Sequence, residues 1–260
     1  MVFSDFHFYS EVLGIQTAAY VLMPEMDVMA TQKKPLPVLY LLHGLSDDHT
    51  MWMRQTRLEQ YAKNYRVCIV MPAVNRSFYM DMEHGPKYDT FIADELPRVI
   101  ERFFPVSKKR EDRFAAGLSM GGYGALKLGL NYPGRYAAVA GFSGALAMEK
   151  AFERRTELAQ SYVREMENIY GDEKKLVNGK GNLSLLAEKM CRHPEKCPRI
   201  YIACGTEDFL FHANERFVER FGKALNIEYH TEPGAHTWQF WDKHICKTLE
   251  WLNLEKAVQA

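Results

Sequence analysis

"AAGLSMGGYGALKLG", residues 115–129, decides how the rest of the chain is read. Three glycines, Gly121, Gly122 and Gly124, stand directly behind Ser119. Glycine costs about 1 kcal/mol relative to alanine inside a helix, yet "ALKLGLNY" has the pattern of one. The preceding "RFAAG" (113–117) is a short apolar run of the kind found in strands. A strand that turns straight into a helix at Ser119 accounts for both. Gly117-Leu118-Ser119-Met120-Gly121 is G-x-S-x-G, a sharp bend that lifts a serine above a sheet edge. Side chains two residues to either side of that serine would collide, so Gly117 and Gly121 are required. Gly122 and Gly124 are expected to let the helix pack tightly on neighbouring strands. The helix start behind the serine adds free N–H groups and the positive end of a dipole. "GGYGALK" lacks the third glycine of a dinucleotide fingerprint, and no G-x-x-x-x-G-K-[ST] is present.

Outward from this bend, strand-like runs alternate with helical ones. "VLYLLHG" (38–44), "RVCIVMP" (66–72), "RFAAG" (113–117), "AAVAGFSG" (137–144), "RIYIACG" (199–205) and "IEYHTEPG" (227–234) are short and almost continuously apolar. Strands covered on both faces read this way. "FHFYSEV" and "TAAYVLMP" before them suggest an antiparallel hairpin. "DTFIADELPRVIERFFP", "NERFVERFGKAL" and "WQFWDKHICKTLEWLNL" carry apolar residues on one helical face, with Pro97 a misfit expected to kink the first. The alternation predicts an α/β fold: a mostly parallel twisted sheet with helices on both faces. Residues 145–190 contain no strand pattern and are predicted to be a small helical insertion within a single domain spanning 1–260. The charge run 149–157 is expected to be a solvated helix face.

Composition narrows the function. Lys and Arg together number 33, as do Asp and Glu, so the 260-residue chain carries no net basic charge for nucleic acid. No apolar run reaches membrane-spanning length, and the N-terminus has no signal-peptide pattern. Five cysteines, an odd number, point to reduced thiols and a cytoplasmic location. Cys191, His193 and Cys197 lie close together, but no second pair completes the four ligands of a structural zinc site. No metal is therefore expected.

A serine hydroxyl needs a base, and the base needs a carboxylate to orient it. With a G-x-S-x-G bend the chain order is Ser, then Asp or Glu, then His. Glu207 and Asp208 follow "RIYIAC", and His236 follows "IEYHTEP" just before the last helix. The remaining histidines lie within strand or helix patterns or in loops, and none occupies that slot. Two backbone N–H groups must receive a developing oxyanion. Met120 follows the serine, and Leu45 follows the first central strand within "LYLLHGLSDDHTMW", where Gly44 permits the turn.

These stretches, with "DELPRVIERFFP", "FSGAL", "CGTEDFLF" and "GAHTWQFW", resemble the esterase D-type branch of the α/β-hydrolases. Within it the chain is most similar to bacterial tributyrin esterases and to feruloyl (cinnamoyl) esterases. The resemblance runs in order across most of the chain and is weakest over 145–190. It implies Ser119 as nucleophile, Asp208 as acid and His236 as base, with Leu45 and Met120 at the oxyanion hole. It also implies carboxylesterase activity on short acyl or aromatic acyl esters, no cofactor, and a homo-oligomer. Trp52, Phe209 and Trp238 flank the catalytic loops and are candidates for contact with the small-molecule ester. An S-formylglutathione hydrolase-like thioesterase is the alternative within the same branch. A non-catalytic binding module on this fold is the alternative outside it.

Overall fold

In the computed structural model, residues 1–25, 34–152 and 160–257 are described. Eight strands form one sheet: β1 (Val2–Ser10), β2 (Ile15–Met23), β3 (Val38–Leu42), β4 (Cys68–Pro72), β5 (Arg113–Leu118), β6 (Ala138–Phe142), β7 (Arg199–Gly205) and β8 (Ile227–Glu232). Their order across the sheet is β1-β2-β4-β3-β5-β6-β7-β8. The expected hairpin is β1–β2, and β2 pairs antiparallel with β4 as well. Every other pairing is parallel.

The reason for near-continuous apolar strands is visible in β3. Val38, Tyr40 and Leu42 enter one core, while Leu39 and Leu41 enter another on the opposite face. Alternate side chains leave opposite faces of a strand, so a strand covered on both sides has no position for a polar residue. Strand β8 departs from the expected apolar run: at the sheet edge it is only partly buried, and Glu228, His230, Thr231 and Glu232 interrupt its apolar residues.

Helices α1 (Met51–Gln55) and α2 (Leu58–Ala62) supply Trp52 and Leu58 to the core that contains Leu39. Helix α3 begins at Tyr88–Thr90, passes through a π-helical stretch at Phe91–Glu95 and continues as Leu96–Phe103. Pro97 has no N–H for the Ala93 carbonyl four residues back. The Arg135 guanidinium donates to that carbonyl instead, so the expected misfit is absorbed by a local change of helix type. Helix α4 (Met120–Asn131) is buried from Met120 through Leu130.

Residues 145–190 are helical where described: a short 3₁₀ turn at Met148–Lys150, then α5 (Gln160–Tyr170), α6 (Glu173–Asn178) and α7 (Leu183–Met190). Met166, Ile169, Leu176 and Ala187 bury the inner faces of these helices against the core that contains α4. Much of the charge run 149–157 lies outside the described residues. Helices α8 (Phe211–Phe221) and α9 (Trp238–Trp251) complete the fold. No helix among the described residues is long and apolar enough to cross a membrane.

Two buried histidines are expected to make the fold acid-sensitive. His244 of α9 lies with Nδ1 2.9 Å from the Tyr201 hydroxyl and Nε2 2.8 Å from Glu232. His43, after β3, accepts the Val74 N–H at Nε2 (3.2 Å) and meets the Gly44 carbonyl through Nδ1 (2.8 Å). Burial pushes both down to about 4. A histidine free in the unfolded chain titrates near 6.5. The unfolded state therefore binds more protons between those values. The stabilisation is complete above pH 6.5 and disappears as pH falls towards 4. Roughly 2 kcal/mol per histidine should be lost between pH 7 and pH 5. Urea unfolding at the two pH values measures it, and His244→Phe should flatten the dependence by about half. A free energy of unfolding unchanged between pH 7 and pH 5 would refute the assignment.

Candidate active site

Strands β3, β5, β6, β7 and β8 run parallel, so their C-terminal ends emerge at one edge of the sheet. The loops that leave this edge carry His43–Asp47, Ser119, Ser143, Asp208 and His236. Open α/β sheets place their sites there.

Ser119 joins β5 to α4 with φ +53° and ψ −116°, a conformation few non-glycine residues adopt. Three hydrogen bonds hold it. Its N–H donates to the Phe142 carbonyl (2.8 Å), and its carbonyl accepts from Tyr123 (3.0 Å) and Ala145 (3.2 Å). The flanking glycines are a steric necessity. A Cβ on Gly117 would fall 2.5 Å from the Gly121 carbonyl carbon, and one on Gly121 would fall 2.7 Å from the His43 carbonyl oxygen. Gly122 faces the end of β6 as expected. Gly124 departs from the expectation, because it packs against the Tyr79 ring in the loop after β4 rather than against a strand.

Asp208 and His236 meet directly. His236 Nδ1 is 2.9 Å from Oδ2 and 3.1 Å from Oδ1. Burial raises the pKa of the Asp208 carboxyl, but hydrogen bonds from His236, Ser143 and the Leu210 N–H outweigh it, and the net shift is downward. The neighbouring Glu207 points elsewhere. Its carboxylate accepts the Gly234 N–H (2.5 Å) and so pins the loop that carries His236.

Ser143 and Trp241 are the residues that sequence reasoning missed. Trp241 donates its indole N–H to the Ser143 hydroxyl (3.0 Å), and Ser143 is one of the groups that hold the pKa of the Asp208 carboxyl down. The Trp241 ring also meets His236 edge-on at 4.9 Å. Ser143 adopts φ +47°, and its N–H is tied to the Ala203 carbonyl (2.7 Å). Since Phe142 holds Ser119 and the next residue, Ser143, acts on Asp208, the end of β6 links the serine to the Asp–His pair. Ser143 lies within "FSGAL" and Trp241 within the last helix, but neither stands in a fixed motif that signals this role.

Leu45 lies in a loop gripped from several sides. His43 Nε2 accepts the Val74 N–H, so the neutral ring carries its proton on Nδ1 and donates it to the Gly44 carbonyl. That carbonyl shares a peptide plane with the Leu45 N–H, and in a trans peptide the two point in opposite directions. His43 therefore aims the Leu45 N–H away from itself. The Tyr79 hydroxyl donates to the His43 carbonyl (2.8 Å), and Asp47 accepts the Gly44 N–H (3.1 Å). Burial raises the Asp47 pKa, which that backbone bond partly offsets. Met120 opens α4, where N–H groups lack intrahelical acceptors.

The aromatic candidates separate. Phe209 is 76% exposed, with its ring 4.5 Å from that of His236. Trp238 is partly buried and meets both Trp52 and Trp241 edge-on. Trp52 is a correction. It is fully buried, with its indole N–H donated to the Leu42 carbonyl (3.0 Å), so it supports the core beneath the loop and has no surface for a substrate. Two cavities open beside these loops. One of about 1190 Å³ is bounded by Leu45, Asp47, Arg76, Tyr88, Tyr162 and Glu165. Another of about 700 Å³ is bounded by Met148, Ala151, Tyr162, Phe209 and Leu210.

The sheet order and the strained serine turn define an α/β-hydrolase. The putative esterase family model matches residues 10–252, and the chain belongs to that family. An acetyl esterase of Caldicellulosiruptor saccharolyticus is 30% identical, covering 97% of this chain and 98% of its own. Among solved structures, the fluorophosphonate-binding serine hydrolase FphF of Staphylococcus aureus is 29% identical. It covers 96% of this chain and 98% of its own, with a TM-score of 0.87. The S-formylglutathione hydrolase FrmB of the same organism is also 29% identical over the same shares, with a TM-score of 0.84. The chain is a carboxylic ester hydrolase of the serine esterase type.

Proposed function

We propose that this protein hydrolyses short-chain acyl or aromatic acyl esters through an acyl-enzyme formed on Ser119. The observation that carries this reading is the Asp208–His236 pair at 2.9 Å, at the same sheet edge as the strained Ser119 turn. With Asp208 accepting at Nδ1, the neutral imidazole keeps its lone pair on Nε2. His236 then takes the Ser119 proton as Oγ attacks the ester carbonyl, and returns it to the leaving alcohol. Water repeats the sequence on the acyl-enzyme. The Leu45 and Met120 N–H groups receive the oxyanion that forms each time. An acyl-length panel of p-nitrophenyl esters, run alongside methyl ferulate and S-formylglutathione, tests the substrate class. Highest kcat/KM is expected on a short-chain or feruloyl ester. The 29% identity to FrmB supports the second reading, a thioesterase. Highest kcat/KM on S-formylglutathione would favour it.

Residues 145–190 belong to the same single domain in this reading and form a cap over the acyl pocket. Tyr162 of α5 borders both cavities, which supports this placement. Replacing the segment with a short loop should reorder kcat/KM across the ester panel while leaving fluorophosphonate labelling of Ser119 in place. An unchanged rank order would mean the segment takes no part in choosing the substrate.

A further inference from the structure

The loop after β4 is strained out of proportion to its length. Asn75, Phe78 and Tyr79 all have positive φ, at +50°, +48° and +55°. Bulky aromatic residues rarely adopt this conformation, and it persists only where surrounding bonds hold it. Here those bonds run to the Leu45 loop: Val74 N–H and the Tyr79 hydroxyl both reach His43. Between them stands Arg76, whose guanidinium faces two ways. Nε and Nη2 bind both carboxylate oxygens of Glu165 on α5, at 2.5 and 2.7 Å. Nη1 donates to the Leu45 carbonyl at 3.4 Å.

Leu45 thus sits between two anchored peptides. His43 fixes the Gly44 carbonyl before it, and Arg76 holds the carbonyl after it. Only the first anchor is internal to the loop. The second depends on α5, which walls the 1190 Å³ cavity beside the site. A planar guanidinium suits this task because its donors diverge in a fixed fork, a geometry that a lysine ammonium does not reproduce.

We propose that Arg76 is a positioning residue for the esterase reaction: paired with Glu165, it couples the seating of α5 to the alignment of the Leu45 N–H with the oxyanion. The proposal rests on the reading of Leu45 as an oxyanion donor. It makes the helix that borders the substrate cavity part of the machinery that stabilises the transition state, and so links occupancy of that cavity to turnover.

The test uses Arg76→Met, Arg76→Lys and Glu165→Gln in the full-length protein, with Ser119→Ala alongside. Active sites are first counted by fluorophosphonate titration, so that misfolded protein does not enter the rate. Two quantities are then measured: kcat and KM on the best p-nitrophenyl ester, and Ki for a short-chain trifluoromethyl ketone. That ketone bonds to Ser119 Oγ, passes the hydroxyl proton to His236 and leaves its own oxygen as an oxyanion in the hole. Arg76→Met should lower kcat by at least about tenfold, short of the 10²–10³ seen when a donor is removed outright. KM should move little, and Ki should rise by the same factor as kcat falls. Glu165→Gln should shift both in the same direction by less. Arg76→Lys keeps charge towards Glu165 without the fork and should stay nearer to Arg76→Met than to the wild type. If Arg76→Met does not fold, the other two variants carry the test. Unchanged kcat and Ki per active site, or a change confined to KM, overturns the coupling while Ser119→Ala remains inactive. An active Ser119→Ala overturns the parent reading and the coupling together.

Discussion

Ser119→Ala should lose on the order of 10⁶ in kcat, the scale seen when a serine hydrolase loses its nucleophile. The variant changes little else. Ser119 is held by its backbone, through the Phe142, Tyr123 and Ala145 bonds, and alanine leaves all three in place. Its φ of +53° is set by the strand–helix bend and by glycines that fit no other residue. Thermal stability should therefore stay close to the wild type or rise, since strained functional positions are held at a cost in stability. The measurement is kcat on the best p-nitrophenyl ester, with mass spectrometry of fluorophosphonate-treated protein. Wild type should gain one adduct on the peptide containing Ser119, and the variant none. Near wild-type turnover, in protein purified free of host esterase, would remove Ser119 from the mechanism.

The parts of this site that the sequence makes legible are those fixed by local geometry. The G-x-S-x-G spacing is local because a Cβ on Gly117 would meet Gly121 across the bend, although the Leu42 and His43 carbonyls at the end of β3 crowd Gly121 as well. Alternating helix and strand patterns place β3 to β7 within a few residues, because burial on both faces forces a continuous apolar run. What stays hidden depends on contacts between distant segments. Ser143 and Trp241 meet Asp208 and His236 only after β6, β7 and α9 have assembled. Nothing in "ALKLGL" signals that Lys127 is fully buried, because its partner Asp89 lies 38 residues earlier. Trp52 illustrates the opposite error. It is close in sequence to the Leu45 loop, yet α1 turns its ring into the core. Proximity along the chain indicates which loop a residue serves, but not which way its side chain faces.

Neutralising Asp208 should be far more damaging than neutralising its neighbour, although both are carboxylates on one short loop. Adjacent residues on extended backbone point apart. Asp208 reaches His236 while Glu207 reaches the Gly234 N–H. In Asp208→Asn the amide oxygen can keep the Leu210 N–H, which Oδ1 now accepts at 2.8 Å. The amide nitrogen then faces His236 Nδ1. Two donors cannot share that bond, so the ring proton moves to Nε2, which then has no lone pair to take the Ser119 proton in the proposed reaction. The imidazolium formed during the reaction also loses its counter-charge. Together these should cost about 10⁴ in kcat, the scale found when a triad carboxylate is neutralised. The fold should survive, because shape and most hydrogen bonds are retained. Glu207→Gln behaves differently, since its amide oxygen still accepts from Gly234 and no proton position near the serine changes. Its kcat should stay within about threefold of wild type, less than 1 kcal/mol in barrier. Both variants are compared on one ester, per titrated active site, after circular dichroism shows native structure. A collapse of Glu207→Gln with an active Asp208→Asn would reverse the two roles. Equal losses would mean that the anchoring of the His236 loop, rather than the charge on its partner, sets the rate.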